Sequence, residues 1–359
     1  MYTIKASTLE SLTTDIFSSC QCAPEVASQV SRSLVRANLS GHESHGVIRV
    51  PSYVRDIQAG ILQPNVPLSV TNETASLVVA DGQHGFGQTQ MPLLLDRVIP
   101  KSRNQGVACG VMNHCGHIGQ LSPWVEHAAD QGFAALLTVN DNGTLRAVAP
   151  PGGTRPILST NPLAIATPGD PEAMVVDLST SIVANGKILV AHEENQSVPE
   201  GWLLDENGAP TTDPGVRYRD PPGSLLPFGG YKGFGLALLL DVLVSGLTGG
   251  YCPPAPTDAV SSNNVLLILW DPEQFHGVKH IVQEAQRLEQ FIRDSPVIDP
   301  DSKITLPHDR SRRTRKKRAT MGIPIGDQLH AQLTELAGEL RVHLPDDWPV
   351  RDTTDPPNQ

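Results

Sequence analysis

Apolar residues at intervals of three and four dominate the opening of the chain. Leu9, Leu12 and Ile16 form one helical stripe, and Ser7-Thr-Leu-Glu10 has the spacing of a capping box. A second stripe, Val26, Val30 and Leu34, predicts a helix from about Pro24 to the break at Leu39-Ser-Gly41. A third begins in "GHESHGVIRV", residues 41–50, and carries Val47, Val50, Val54 and Ile57 until Ala59-Gly60. Three helices are therefore predicted ahead of any strand.

The period then changes. "SLVVADGQHGFGQTQ" is a short β-branched run ending in a glycine-rich turn, with a helix through Met91 to Val98 behind it. "GVACGVMN" and "FAALLTVN" have the continuous apolar character of buried strands, separated by a helix over residues 122–131. "LAIATP", "AMVVDLS" and "NVLLILWD" predict further strands. Long helices are expected over residues 232–247, 280–294 and 326–342, and the Pro-rich acidic tail, residues 346–359, is expected to be disordered. This alternation points to an α/β protein.

Composition narrows the class. The chain has 359 residues, 39% of them apolar and 18% charged, which suits a folded protein with a sizeable core. A formal net charge of -11 argues against general binding to nucleic acid or an anionic membrane. "MYTIKASTLESLTT" has no apolar segment of the kind a secretory signal needs, and the strongest apolar window, residues 234–247, is interrupted by Asp241 and too short to span a bilayer. A soluble, cytoplasmic protein is the expectation. The 5 cysteines are spread thinly, so no disulfide framework is predicted, and Cys20-Gln-Cys22 lacks the second pair that a zinc site requires. No metal site is expected.

On a helix, His42, His45 and Arg49 would share one face. The spacing His-Glu-x-His differs from the His-Glu-x-x-His of a metalloprotease helix, so zinc is disfavoured on geometry. Two readings stay open. Ser44 could cap the helix while both histidines are solvated or bonded to carbonyls. Alternatively, His45 shuttles a proton near neutrality and the Arg49 fork holds a planar carboxylate, which suits an acid substrate. Farther on, "NHCGHIGQ" runs from a strand end through His114, Gly116 and Gly119 towards a helix start, where backbone N–H groups can meet a phosphate. Its glycine spacing is not that of the Rossmann fingerprint. A simple glycine turn with an exposed histidine is the competing reading.

Seven motifs carry a resemblance. "GHESHGVIRVPSYV", "DGQHGFGQ", "NHCGHIGQ", "PPGGTRPILSTNPLAIATP", "VVDLSTSIVANGKI", "GWLLDENGAPTTDP" and "LPFGGYKGFGLALLLDVLVSGLTGG" occur in the order seen in the malate/L-lactate dehydrogenase family, which includes ureidoglycolate, sulfolactate and pyrroline-2-carboxylate enzymes. The chain resembles that family over residues 7–342. The resemblance implies an NAD- or NADP-dependent oxidoreductase, a homodimer, with a large mixed-sheet cofactor domain that is not a Rossmann fold. It also implies the domain plan: a helical part over residues 1–66 that contributes catalytic residues, an α/β domain over 67–310 that binds cofactor and substrate, and a helical segment over 311–345 that packs back.

By the same resemblance, Ser44 and His45 look like a proton-relay pair, Arg49 like the carboxylate anchor and Thr160 like a substrate contact. His114, Gly116, Gly119, Asp177, Leu178, Ser179 and Lys232 match positions that line the nucleotide, and His114 is also a catalytic candidate. Lys187 stands where reductases of cyclic imino acids tend to carry Asp, which tilts the reading towards a catalytic ammonium beside an alkoxide. A solvated helix residue is the alternative there.

Three departures stand out. His117 replaces a small residue, Gln83-His84-Gly85 replaces Asp-Asn-Gly, and Pro307-His308-Asp309 replaces Pro-Gly-Glu. Asp309 and Arg310 are nonetheless assigned to the cofactor. The run "RSRRTRKKR", residues 310–318, admits a solvated face, a contact to the cofactor's phosphate or a nuclear address. The expected activity is hydride transfer between the nicotinamide and C2 of a small 2-hydroxy or 2-keto acid. A cyclic imino acid reductase and a catalytically silent nucleotide-binding relative are the rivals.

Overall fold

In the computed structural model, which describes residues 1–349, the chain opens with a strand that periodicity did not predict. β1 (Tyr2–Ile4) precedes α1 (Ala6–Ser19), α2 (Pro24–Leu39), two 3-10 turns (Glu43–His45 and Val47–Arg49) and α3 (Val50–Gln58). Three residues are too few to show an alternation. α1 starts at Ala6 after an extended Lys5 with no side-chain cap, so Ser7 lies inside the first turn and the expected capping box does not form. Leu9, Leu12 and Ile16 are fully buried along its stripe. Pro24 opens α2, whose fixed φ suits a first helical position.

The larger unit, Ile61–Arg310, follows. It contains β2 (Ser69–Glu73), β3 (Leu77–Asp81), α4 (Gly87–Gln105), β4 (Val107–Cys115), α5 (Ser122–Asp130), β5 (Ala134–Asn140), β6 (Leu163–Thr167) and β7 (Met174–Leu178). After α6 (Asn185–Glu193) come three short strands, β8 (Leu203–Leu204), β9 (Pro210–Thr211) and β10 (Ser224–Leu225), then α7 (Tyr231–Thr248), β11 (Asn263–Trp270) and α8 (Val278–Arg293). The main sheet has 7 strands in the order β2-β3-β4-β11-β5-β6-β7. β3 and β4 run parallel, and the other neighbours are antiparallel. The sheet is therefore mixed, with no dinucleotide-binding βαβ repeat.

Its two faces are read from the period of two along the strands. Val265, Leu267 and Leu269 of β11 join Ala108 and Met112 of β4 in the main core, with Leu94 and Val98 of α4 and Val125 and Ala128 of α5. The alternate residues Val111 and Leu266 pack with Val244 of α7 on the opposite face. α4 approaches closely at Gly110, where a Cβ would stand 2.6 Å from a Val98 methyl carbon. A smaller core gathers Val148, Val183, Ile188, Leu203, Val216 and Leu225 under the short strands.

α9 (Asp309–Met321), β12 (Ile323–Ile325) and α10 (Asp327–Glu339) close the described chain, and the residues from Ser311 on belong to the first unit, with Met1–Gly60. β1 and β12 pair antiparallel, which is what makes the first three-residue strand. The expectation of disorder from residue 346 needs correction for its first residues. Asp347 accepts two 2.8 Å contacts from Thr8 Oγ1, and Trp348 is buried with its ring stacked 4.9 Å from that of His330. The rest of that tail, from residue 350, lies outside the described residues.

Candidate active site

The histidine-rich segment is not one helix. Gly46 has extended backbone (φ -91°, ψ -154°) and separates the two 3-10 turns, so His42, His45 and Arg49 do not lie along a continuous α-helical face. The reason is packing against α2. Asn38, 1% exposed, accepts the Val47 N–H on its Oδ1 at 2.8 Å, and a Cβ on Gly46 would stand 2.1 Å from that oxygen. Only glycine lets the turn come this near.

The break brings the candidates together. Ser44 Oγ lies 3.1 Å from His45 Nδ1, and Arg49 Nε donates to the Ser44 carbonyl at 2.7 Å. A hydroxyl both donates and accepts, so Ser44 can hold the ring in either tautomer. Burial, then the Arg49 guanidinium and then His42, depress the His45 pKa to about 3. The resting imidazole is neutral at ordinary pH.

In the larger unit, the ends of β3 and β4 are knitted by backbone bonds. Gly82 N–H donates to Asn113 O at 2.9 Å, His84 N–H to His114 O at 2.6 Å and Gly116 N–H to Gly85 O at 2.8 Å. Gln83, His84 and His114 all take positive φ there (50°, 57° and 46°). His114 Nδ1 lies 3.0 Å from Asp81 Oδ2, and because a carboxylate only accepts, this contact places the proton on Nδ1. The His84 ring lies 5.1 Å away, tilted by 31°, and its pKa is lowered by burial and then by His114. Asp81 was not among the candidates read from the sequence. Its signal was present in the turn "DGQHGFG", which follows β3, the strand that pairs in parallel with the His114 strand.

At the start of α5, where the sequence reading placed a phosphate, one N–H has a side-chain partner. Asp177 Oδ2 accepts the Ser122 N–H at 2.8 Å, and burial raises its carboxyl pKa against that bond. A phosphate brought to this helix start would lie beside that carboxylate. Gly116 and Ile118 donate elsewhere, to Gly85 O and, at 2.9 Å, to Asn263 Oδ1. Gly119 takes φ +74° in the same loop.

Thr160 and Lys232 belong to one connected region. Thr180 donates twice to the Thr160 carbonyl, at 2.9 Å from N and 2.8 Å from Oγ1, and Phe228 N–H donates to Thr180 O at 3.0 Å. Gly233 packs there so tightly that a Cβ would lie 2.3 Å from Phe228 O. Lys232 is exposed at the start of α7, after Gly229 and Gly230 with φ 55° and 63°. Leu178 is exposed at the end of β7, and Ser179 Oγ donates to Ser181 O at 3.1 Å. Lys187 is exposed on α6, beside the smaller core.

Asp309 is engaged within its own unit. Both oxygens meet Arg293 at 3.0 Å, and Oδ2 also accepts Leu306 N–H at 2.9 Å. Neighbouring His308 places Nε2 2.5 Å from Glu126 Oε1, while Arg310 is exposed. The sequence also gave no hint of the buried network beneath α7. Asn140 donates to Asp241 Oδ1 at 2.6 Å and to Ser245 Oγ at 2.7 Å, and Asn161 donates to Asp241 Oδ2 at 3.0 Å.

The sequence model of the malate/L-lactate dehydrogenase family matches residues 4–334. The chain is 33% identical to a malate/(S)-sulfolactate dehydrogenase of Methanothermus fervidus over 316 residues, 87% of this chain and 90% of that one. It is also 33% identical to a Δ1-pyrroline-2-carboxylate/Δ1-piperideine-2-carboxylate reductase of Pseudomonas syringae pv. tomato over 326 residues, 88% and 91% of the two chains. The solved sulfolactate dehydrogenase of Methanocaldococcus jannaschii superposes with a TM-score of 0.83 at 30% identity, over 96% of this chain and 98% of that one.

Proposed function

Because the chain belongs to the malate/L-lactate dehydrogenase family, we propose that it moves a hydride between NAD or NADP and C2 of a small 2-hydroxy acid or its 2-keto partner. The observation that carries this reading is the Ser44, His45 and Arg49 cluster, in which one short segment supplies a proton relay, a neutral base and a carboxylate fork. When bound, the nicotinamide supplies the hydride acceptor in oxidation and the donor in reduction. Residues suited to such a nucleotide are present: Lys232 is a cation at the start of an 18-residue helix after a Gly-Gly turn, and His114 has its tautomer fixed by Asp81. Gly116, Gly119, Leu178 and Ser179 are assigned to the same nucleotide, and Thr160 to the substrate. Asp177, Asp309 and Arg310 are assigned to the nucleotide as well, and both carboxylates also hold partners within the chain.

The chain's own residues divide the proton and the charge. With Nε on the Ser44 carbonyl, the Arg49 Nη groups form the fork that takes the substrate carboxylate and fixes C2. When His45 Nδ1 donates to Ser44 Oγ, Nε2 is the basic nitrogen and takes the hydroxyl proton during oxidation. A carboxylate on Arg49 cancels one of the causes that depress His45, so substrate binding lifts the imidazole towards the range in which it can return the proton during reduction.

A cyclic imino acid reductase is the rival, and the Pseudomonas relative is the observation that favours it. Lys187 favours the hydroxy acid, because a cation steadies an alkoxide and repels an iminium. One assay separates them: oxidation of NADH and of NADPH by the wild-type chain with pyruvate, oxaloacetate and pyrroline-2-carboxylate. Faster turnover of a 2-keto acid supports the reading. Turnover of the imine alone replaces it with the rival, and nucleotide binding without any turnover makes the chain a silent relative.

The assembly we assign is a homodimer in the cytoplasm. Its supporting observation is the outer face of α7, where Leu239 (63% exposed), Val242, Leu243 and Leu247 form an apolar surface of the kind that marks an interaction site. At 18 residues α7 is long and apolar enough to cross a membrane by length and composition, yet its inner face is committed to the sheet through Asp241 and Val244. The overall negative charge fits a small anionic substrate only where local cations such as Arg49 receive it.

A further inference from the structure

The basic run at residues 310–318 is a helix, and its cations fall on two faces. On the inner face, Ser311, Thr314 and Arg318 stand at i, i+3 and i+7 and meet consecutive residues of the histidine segment. Thr314 packs on Gly41, where a Cβ would lie 3.1 Å from the threonine methyl. Ser311 Oγ lies 3.5 Å from His42 Nε2. Arg318 Nη1 lies 2.6 Å from Glu43 Oε1 and also donates to the Asn38 carbonyl at the end of α2. A cation at a helix C-terminus is favourable there, since the last carbonyls carry partial negative charge. Asn38 in turn holds Val47 N–H on the far side of Gly46. On the outer face, Arg313, Lys316 and Lys317 are exposed.

We propose that Arg318 and Asn38 are positioning residues that clamp the two 3-10 turns, so that His45 and Arg49 are presented in one geometry. The clamp closes the turn from both sides. Asn38 bonds the residue after Gly46, Arg318 bonds the carboxylate before it, and the Asn38 carbonyl links the two. Loosening it changes the direction in which His45 Nε2 and the Arg49 fork point without removing either. The inference rests on the reading that His45 and Arg49 carry the chemistry. It also gives Arg318, one cation of the basic run, a role on the chain's own turn.

The test compares Arg318→Met, Arg318→Lys and the outer-face triple Arg313→Ala/Lys316→Ala/Lys317→Ala in the full-length chain. Steady-state kinetics with the best 2-keto acid are measured beside backbone amide exchange over residues 42–49 in the ligand-free protein. For Arg318→Met the expected results are a kcat lower by about tenfold or more, as small misplacements of reacting groups cost, a nucleotide KM within about twofold, and faster exchange across the turn. Arg318→Lys recovers part of both, since an ammonium can reach one of the two partners but not both. The outer-face triple behaves as wild type. Unchanged exchange, faster exchange with unchanged kcat, or an equal loss in the outer-face triple overturns the proposal. If Arg318→Met does not fold, Glu43→Gln carries the same two readouts with smaller effects in the same direction, and a wild-type rate and exchange for it overturns the proposal equally. A wild-type chain inert towards every acid defeats the functional reading, whereas the exchange comparison judges the clamp on its own.

Discussion

In the proposed reaction Arg49 and His45 have separable jobs, and each has its own signature. Arg49→Lys is expected to raise the KM for the acid by about tenfold or more while leaving the nucleotide KM nearly unchanged, because a point charge cannot reproduce a two-bond fork. Steady-state kinetics with each substrate varied in turn checks this. His45 gives a pH signature as well. Its folded pKa, about 3, lies below the ordinary imidazole value of 6.5, so between those values the unfolded chain binds a proton that the folded chain refuses. Stability conferred by the neutral ring is thus complete above pH 6.5 and declines as pH falls towards 3. Thermal denaturation of wild type and His45→Gln across that window should show a shallower acid decline in the variant. An equal slope would show that the ring titrates freely. Residue types were legible at this scale: serine, imidazole and guanidinium in one segment are the groups that the proposed proton transfer and carboxylate binding would use. Their geometry was not, because Asn38 and Gly46, which break the expected helix, act through a close contact between elements and leave no periodic trace.

Elements were easiest to read where burial is one-sided. α2 and the strands of the central sheet carry their pattern openly, since each presents a regular apolar face to the core. β1 was invisible because its partner is β12, at the other end of the chain. α9 was ambiguous because its cations obscure any apolar stripe, and the inward residues are Ser311, Thr314 and Arg318. The start of α5 was legible only in part for a related reason. Its orphan N–H groups were visible as a helix start, but Asp177, which takes one of them, is distant in sequence. α7 gives a prediction of its own. Asp241→Ala strands the Asn140 and Asn161 amides without their carboxylate partner, and should cost about 2–4 kcal/mol of stability. Chemical denaturation measures it, and a loss under about 0.5 kcal/mol would mean that the network is not cooperative.

The whole molecule combines a mixed sheet with helices on both faces and a second unit drawn from both ends of the described chain. Family motifs spread along most of the sequence made the fold legible, whereas the joining of the chain's two ends into one unit depends on long-range pairing that local patterns do not encode. The outer face of α7 yields the prediction at this scale. If the proposed dimer forms through this face, Leu239→Glu/Leu243→Glu should shift sedimentation from dimer to monomer, since two carboxylates cannot be buried unpaired in an apolar interface. A variant that sediments as wild type would place the interface elsewhere. The central claim is narrower and is tested most directly by His45→Ala, with turnover of a 2-keto acid and NAD(P)H affinity measured on the same preparation. Turnover should be lost while affinity stays within about threefold of wild type, as expected for a group used in the chemical step. Wild-type turnover in that variant would remove His45 from the reaction and the proposed mechanism with it.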